Sequence, residues 1–156
     1  MSNPNLTSIQ FDESIALINA CYALTKEYST ILAELGKAND LTENEMQVLI
    51  HLAMYPEACT QKKLQATNLN LSVSSVCRMV ESLRKKGYIS TELDVNDRRS
   101  WILHMEEPGA LLAEDFRQQI HDRMEELFCS VPGFDMMDFV SVLSRVAQSV
   151  PQETAV

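Results

Sequence analysis

Residues 60–104 constrain the fold more than any other stretch of this 156-residue chain. Two short helical patterns meet there, and the second, predicted over about residues 72–86, begins at Ser72 and ends at Gly87. Serine is a favoured helix N-cap, and glycine is a favoured residue just past a helix end. Two short strands around a polar turn at 94–99 follow directly. The segment therefore predicts helix, helix and hairpin in that order.

The same segment carries most of the positive charge of an acidic protein. Eight of the 13 Lys and Arg residues lie there against four of the 22 acidic residues, so its net charge is +4 and that of the remainder is −13. The positive residues are Lys62, Lys63, Arg78, Arg84, Lys85, Lys86, Arg98 and Arg99. Such a concentration indicates either a surface for a polyanion or an ordinary solvated face.

Long helical patterns precede this segment. In residues 11–35, apolar residues cover so wide an arc that we expect burial on two sides, against the chain's own core and against a partner. Gly36 is the predicted stop, and Cys21, on the apolar stripe, is expected to pack in the core. Thr42 and Glu45 have the spacing of a capping box, which predicts the start of the next helix.

Two further helices are predicted after the hairpin, one over residues 108–129 and a last one after a break at residues 132–133. Two helices joined by a tight turn and followed by a hairpin with a basic tip form a winged helix-turn-helix, with the second helix as recognition helix. The predicted fold class is thus mainly α with a small β-hairpin wing. The predicted divisions are an N-terminal dimerisation helix (1–40), a DNA-binding domain (41–106) and C-terminal dimerisation helices (107–156).

Four motifs give the chain a resemblance to a known family. They are LTENEMQVL at residues 41–49, LSVSSVCR at 71–78, LRKKGYI at 83–89 and NDRR at 96–99. In this order and spacing they are similar to the motifs of MarR-type winged-helix regulators, and the resemblance extends over about residues 11–150. It implies an obligate homodimer formed by the terminal helices, which binds a pseudo-palindromic DNA operator and responds to a small-molecule effector. It also implies that Asp97 pairs with Arg99 to stiffen the wing.

Six side chains are the predicted DNA contacts. The hydroxyls of Ser72, Ser74 and Ser75 lie in the first turn of the recognition helix, where hydroxyls and free N–H groups bind phosphates or base edges. Arg78 follows one turn later and could bond a guanine edge or a phosphate; the alternative is an ion pair with Glu81 on the same helix face. Arg98 and Arg99, at the wing tip, are also predicted contacts, and one or the other is predicted to reach the minor groove. Lys62, Lys63, Lys85 and Lys86 are weaker candidates for phosphate contact.

Other functional classes have little support in the sequence. His51, His104 and His121 lie on different elements without ligand spacing, so we expect no metal and no cofactor. No catalytic constellation is visible, and we expect no enzyme activity. We also expect no membrane span and no leader. Scattered cysteines without a C-x-x-C pair suggest free thiols in the cytoplasm.

Two questions stay open at this stage. An effector pocket is expected between the helices at 11–35, 42–55 and 108–129, and its lining is expected to include Tyr22, Met54, Tyr55 and His104. The effector itself is unknown. A sequence pI of about 4.7 also favours an alternative function, a winged-helix protein-interaction module or decoy that has lost DNA binding.

Overall fold

The computed structural model describes residues 11–56, Thr60, Lys63, Leu64 and 72–149. These residues form five helices and one two-stranded antiparallel sheet: α1 (Phe11–Ala38), α2 (Glu43–Met54), α3 (Val73–Lys85), β1 (Ile89–Leu93), β2 (Trp101–Met105), α4 (Glu107–Phe128) and α5 (Met136–Ser149). The mainly α fold with a β-hairpin is confirmed. The chain divides into two compact units, one that ends at Ile120 and one that begins at His121.

Helix α1 ends later than the sequence predicts. Gly36 lies inside the helix, where an added Cβ would be 2.8 Å from the carbonyl oxygen of Leu41. Asp40, with φ of 54°, is the left-handed residue beyond the helix, and the Leu41 N–H donates back to the Gly36 carbonyl at 2.7 Å. The predicted stop at Gly36 is therefore wrong. Glycine is needed there for a close approach of the chain, and the turn at Asp40 ends the helix.

Helix α2 begins as predicted. The Thr42 hydroxyl accepts from the Glu45 N–H at 3.2 Å, and the Glu45 carboxylate accepts from the Thr42 N–H at 2.7 Å. This reciprocal capping box satisfies two N–H groups that a helix start leaves unpaired. The helix ends at Met54, before Pro56, because the residue preceding proline disfavours the helical conformation.

Helix α3, the predicted recognition helix, lies between its predicted limits. Ser72 is its N-cap, and Gly87, with φ of 78°, follows its end. Val76, Val80 and Leu83 are its buried residues, so one stripe faces the core and the opposite face is left to solvent.

The hairpin follows at once. Ile89 pairs with Met105 and Leu93 with Trp101 at the two ends of the register. Ile102 also forms an isolated bridge with Thr60, whose hydroxyl accepts from the Lys63 N–H at 3.2 Å. The Thr60 side chain is thus a helix N-cap, and the extent of the helix it starts falls outside the described residues.

One core joins these elements in the first unit. Leu32, Met46, Leu49, Leu64, Leu83, Ile89, Val48 and Val76 are its largest fully buried side chains. Helix α4 enters it through Leu112 and Phe116, whose ring meets that of Tyr28 edge-on at 5.3 Å. Gly109 permits the entry, because a Cβ there would be 2.5 Å from the Tyr88 carbonyl oxygen. This core supports the inner face of α3.

The second unit contains α5 and the last part of α4. The two helices are separated at the predicted break, where Gly133 has φ of 70°. The rings of Phe128 and Phe134 stack at 4.5 Å, and Phe139 lies 5.3 Å from Phe134. No residue of α5 is buried.

Both terminal helices leave apolar side chains in solvent. In the first half of α1 these are Ile15, Leu17, Ile18 and Tyr22, and in α5 the most exposed are Met137, Val142 and Val146. Cys21 is exposed on the same half of α1, so its predicted packing in the core of the protomer is wrong. Among the described helices, none has the length and apolar character of a membrane span.

Candidate nucleic-acid interface

The three predicted serines form one hydrogen-bonded cluster at the start of α3. The Ser72 hydroxyl accepts from the Ser75 N–H at 3.2 Å and lies 3.1 Å from the Ser74 hydroxyl and 2.8 Å from the Ser75 hydroxyl. Ser72 and Ser74 are exposed. The helix start therefore presents adjacent hydroxyls beside the positive end of the helix dipole, an arrangement suited to anionic or hydrogen-bonding partners.

Arg78 lies one turn further along and is exposed. Its Nε donates to the Ser74 carbonyl at 3.3 Å, which directs the guanidinium toward the serine cluster. Within the part of the chain that the structure describes, Arg78 makes no ion pair. The alternative pairing with Glu81 is not formed, so the remaining donors of Arg78 can bind a group outside the protein.

Glu81 is paired with two later cations instead. Arg84 binds it with two hydrogen bonds of 3.0 and 2.9 Å, and Lys85 Nζ lies at 3.4 Å. The hydrogen bonds from Arg84 lower the pKa of Glu81 to about 2, and the hydrogen bond from Lys85 contributes less to this shift. The carboxylate is therefore ionised at all ordinary pH values and offsets positive charge at the end of α3.

The wing tip is shaped by two aspartates that bond to backbone groups. Asp97 accepts from the Arg99 N–H at 3.1 Å, and Asp94 accepts from the Asn96 N–H at 2.8 Å. Asp97 and Arg99 are thus paired through the Arg99 backbone rather than its guanidinium. Arg98 and Arg99 are exposed and form no ion pair with the described residues, which leaves both guanidinium groups at the tip available.

A cleft of about 500 Å³ separates the recognition helix from the hairpin. Cys77 and Arg84 line it from the helix, and Thr91 and Trp101 line it from the strands. Trp101 is 46% exposed. The indole thus lies between the two elements that would bind a nucleic acid, so its emission can report on both.

The four lysines that were weaker candidates for phosphate contact differ in their surroundings. Lys62 falls outside the described residues, and Lys63 is exposed. Lys85 pairs with Glu81. Lys86 is turned inward, 3.3 Å from Glu45 and 2.6 Å from the Asp40 carbonyl oxygen, so it is not a phosphate contact in this arrangement.

A second concave feature lies away from this face, in the first unit. It is an apolar cavity of about 610 Å³ lined by Tyr28, Ile50, Ala53, Met54, Met105, Ala110, Ala113, Glu114, Phe116, Arg117 and Ile120. Glu114 and Arg117 are bonded to each other. Of the four lining residues predicted from the sequence, Met54 lines this cavity, whereas the prediction is wrong for Tyr22, Tyr55 and His104.

The described residues contain no cluster of His, Cys, Asp and Glu suited to a metal ion. His104 is instead 3.3 Å from Glu92 across the hairpin, and His51 lies against the ring of Tyr55.

Known proteins of one family are similar to this chain in sequence pattern and in fold. Residues 39–100 match the model of the MarR family. No curated protein matches the chain. A MarR transcriptional regulator from Methanosarcina mazei is similar in structure, with 20% identity, a TM-score of 0.70 and coverage of 85% of this chain and 94% of that one.

Two structures of DNA complexes are also similar. A cysteine-to-serine mutant of MarR from E. coli, complexed with operator DNA, has 19% identity and a TM-score of 0.62 and covers 92% of this chain and 100% of that one. A MarR family transcriptional regulator from Listeria monocytogenes, complexed with a 26mer DNA, has 15% identity, a TM-score of 0.66 and 85% coverage of both chains. At these identities the likeness shows the fold. Together with the family match over residues 39–100, it confirms the MarR-type winged helix predicted from the sequence.

Proposed function

We infer that this protein, a winged-helix transcription regulator of the MarR type, binds duplex DNA as a homodimer. In each protomer the recognition helix (about 72–86) would enter the major groove, and the wing (about 94–99) would reach the minor groove. Two protomers would then bind the two halves of a pseudo-palindromic operator. A regulator of this kind acts in the cytoplasm, without a cofactor of its own.

The observation that carries this proposal is the set of unpaired arginines on α3 and on the wing. Arg78, Arg98 and Arg99 have no ionic partner among the described residues, whereas Glu81 is fully engaged by Arg84 and Lys85. An interaction module or decoy would have no reason to keep one such arginine next to an exposed serine cluster and two more at the wing tip. The net charge of −13 outside residues 60–104 would repel DNA from the rest of the surface, which limits non-specific binding.

The division of affinity between the two elements can be tested by titration. Operator fragments selected from genomic DNA are added to the protein while Trp101 emission is followed at two salt concentrations. Arg78→Ala should cost about 1–3 kcal/mol per half-site and reduce sequence discrimination, because it removes a base contact. Arg98→Ala and Arg99→Ala should weaken binding to all duplexes and lower the salt slope by about one unit each, because they remove phosphate or minor-groove contacts.

Lys26→Ala, which removes an exposed cation from α1, is the matched control and should leave affinity and salt slope unchanged. Unchanged operator affinity in Arg78→Ala would contradict the placement of the recognition helix. If Trp101 emission did not respond to any genomic fragment at low salt, the interaction module would replace this proposal.

Dimerisation is the second part of the proposal. The exposed apolar residues on the first half of α1 and on α5 would be covered by a partner protomer, as obligate homodimers do with more than roughly 2,000 Å² of total burial. Residues 1–40 and 107–156 would thus be the dimerisation regions, with the DNA-binding domain at 41–106 between them.

Sedimentation equilibrium at micromolar concentration should give twice the 17.6 kDa mass of the chain. The double substitution Ile18→Asp and Tyr22→Asp should give a monomer, because it places two charges on the apolar face of α1. Val95→Asp, on a residue that is 85% exposed in the wing, should remain dimeric. A monomeric mass for the unmodified chain would refute this part of the proposal.

The third part is an effector site in the cavity lined by α1, α2, β2 and α4. Its lining is mostly apolar, and its one arginine, Arg117, is already bonded to Glu114. An uncharged apolar molecule suits such a site better than an anion, because no free cation is available to pair with it. The residues of α2 in this lining belong to the same helix that packs against α3, so occupancy of the cavity can influence the recognition helix.

A neutral fluorescent dye, N-phenylnaphthylamine, tests whether the cavity binds such molecules. The dye should bind saturably to the unmodified protein, and Ala53→Phe should weaken binding by about tenfold or more because the ring fills the cavity. Ala33→Phe, on an exposed residue of α1 outside the lining, should bind as the unmodified protein does. Equal dye affinity in all three proteins would show that this cavity is not the binding site.

A further inference from the structure

A polar cluster joins the end of the recognition helix to the end of α1. We call it the Glu45 cluster; it consists of Glu45, Thr42, Ser82 and Lys86 with the carbonyl of Asp40. Lys86 Nζ lies 3.3 and 3.4 Å from the two carboxylate oxygens of Glu45 and 2.6 Å from the Asp40 carbonyl oxygen. Glu45 and Lys86 are 41 residues apart in the sequence. The contact is therefore tertiary rather than a local helix pairing.

The carboxylate in this cluster has little access to water. The Glu45 side chain is 6% exposed, and that of Lys86 is 30% exposed. Glu45 also accepts from the Thr42 N–H at 2.7 Å, from the Thr42 hydroxyl at 3.0 Å and from Ser82. The described residues contain no buried side-chain polar atom without a partner. A buried carboxylate that receives this many donors has a fixed position, because any displacement leaves some of its oxygens unsatisfied.

Lys86 is the C-cap of the recognition helix. A lysine ammonium has three donors, and here three acceptor oxygens lie within hydrogen-bonding distance of it. A second bond reinforces the connection, from the Tyr88 hydroxyl to the Asn39 carbonyl at 3.3 Å. Asn39 and Asp40 form the turn after α1. The residues that follow the recognition helix are therefore hydrogen-bonded to the residues that follow α1.

We propose that Glu45 and Lys86 are positioning residues that set the orientation of the recognition helix relative to α1, and thereby the spacing of operator half-sites that the dimer accepts. This inference rests on the proposed function, in which α1 belongs to the dimer interface and α3 reads DNA. In such a dimer the distance between the two recognition helices depends on how each is held against its own α1. The Glu45 cluster, with the bond from Tyr88 to Asn39, connects the ends of these two helices through polar groups.

Two simpler roles for Glu45 and Lys86, a phosphate contact and a purely stabilising one, predict different effects of substitution on DNA binding. If Lys86 were a phosphate contact, its removal would lower the salt slope by about one unit, and Glu45→Gln would strengthen DNA binding by removing negative charge. If the cluster only stabilised the fold, both substitutions would lower thermal stability without any change in half-site spacing. A positioning role predicts a changed spacing profile with an unchanged salt slope.

The experiment measures binding to a series of duplexes in which two copies of a half-site, taken from a fragment selected by the unmodified protein, are separated by increasing numbers of base pairs. The unmodified protein should prefer one spacing by about tenfold or more over spacings two base pairs away. Glu45→Gln and Lys86→Met should lose most of that preference and retain the salt slope. Lys85→Met, which removes the neighbouring exposed lysine, is the matched control and should keep the preference. Lys86→Arg retains the positive charge and should keep the spacing preference as well. Because this variant preserves the ion pair with Glu45, it tests the positioning role in a protein that is expected to fold.

Each other result has a definite reading. A lower salt slope in Lys86→Met together with tighter binding by Glu45→Gln would overturn the proposal in favour of a phosphate contact. Wild-type spacing profiles in Glu45→Gln and Lys86→Met would overturn it in favour of a purely stabilising role. Absence of DNA binding by the unmodified protein would instead reject the proposed function, and this inference with it.

Discussion

The carboxylate of Glu45 lies inside the protein, so its hydrogen bonds have to come from neighbouring protein groups. Thr42 supplies two of them and in doing so starts α2, while Ser82 and Lys86 supply others from the recognition helix. Three segments of the chain therefore meet at one buried charge. Burial alone would raise the pKa of Glu45, but the hydrogen bonds from Ser82, Thr42 and Lys86 lower it. The cluster is thus most stabilising above the ordinary carboxyl pKa and weakens as the pH falls through the lowered value.

The choice of partner by Glu81 decides which cations stay unpaired on the exposed face of α3. Glu81 could reach Arg78, Arg84 or Lys85 along the helix, and it binds the latter two. Arg78 is left beside the serine cluster, and the aspartates of the wing bond to backbone groups and leave Arg98 and Arg99 unpaired. An acidic protein can in this way keep three unpaired arginines on the two elements where a polyanion would bind. The negative charge elsewhere makes that binding depend on orientation.

Features governed by neighbours in the sequence could be predicted, and features governed by distant contacts could not. The capping box at Thr42, the cap at Ser72 and the stop at Gly87 depend on a few adjacent residues, and all three are confirmed. Gly36 looked like another stop because a glycine after an apolar stripe usually is one. Its role in a close approach to the Leu41 carbonyl is visible only in the folded chain. Cys21 lies on an apolar stripe, but the stripe continues beyond the part of α1 that the core of the protomer covers.

The same limit applies to the candidate site. The exposed positions of the serines, Arg78 and the wing arginines could be predicted because they follow from a helix start and a hairpin tip, and their contact with DNA stays a prediction. The inward turn of Lys86 could not, because its partner Glu45 lies 41 residues away and local spacing carries no sign of it. The three helices around the cavity and Met54 were predicted, but the rest of its lining could not be named for the same reason, since it combines residues from α1, α2, β2 and α4 that no motif connects.

Hydrogen exchange of the backbone amides, measured with and without a selected operator fragment, tests the central claim most directly. If α3 and the wing are the DNA-binding elements, the duplex should slow exchange in peptides that cover residues 72–80 and 94–100. Peptides that cover α5 should exchange at the same rate in both samples. Slowed exchange elsewhere, with residues 72–80 and 94–100 unaffected by a duplex that binds, would contradict the account.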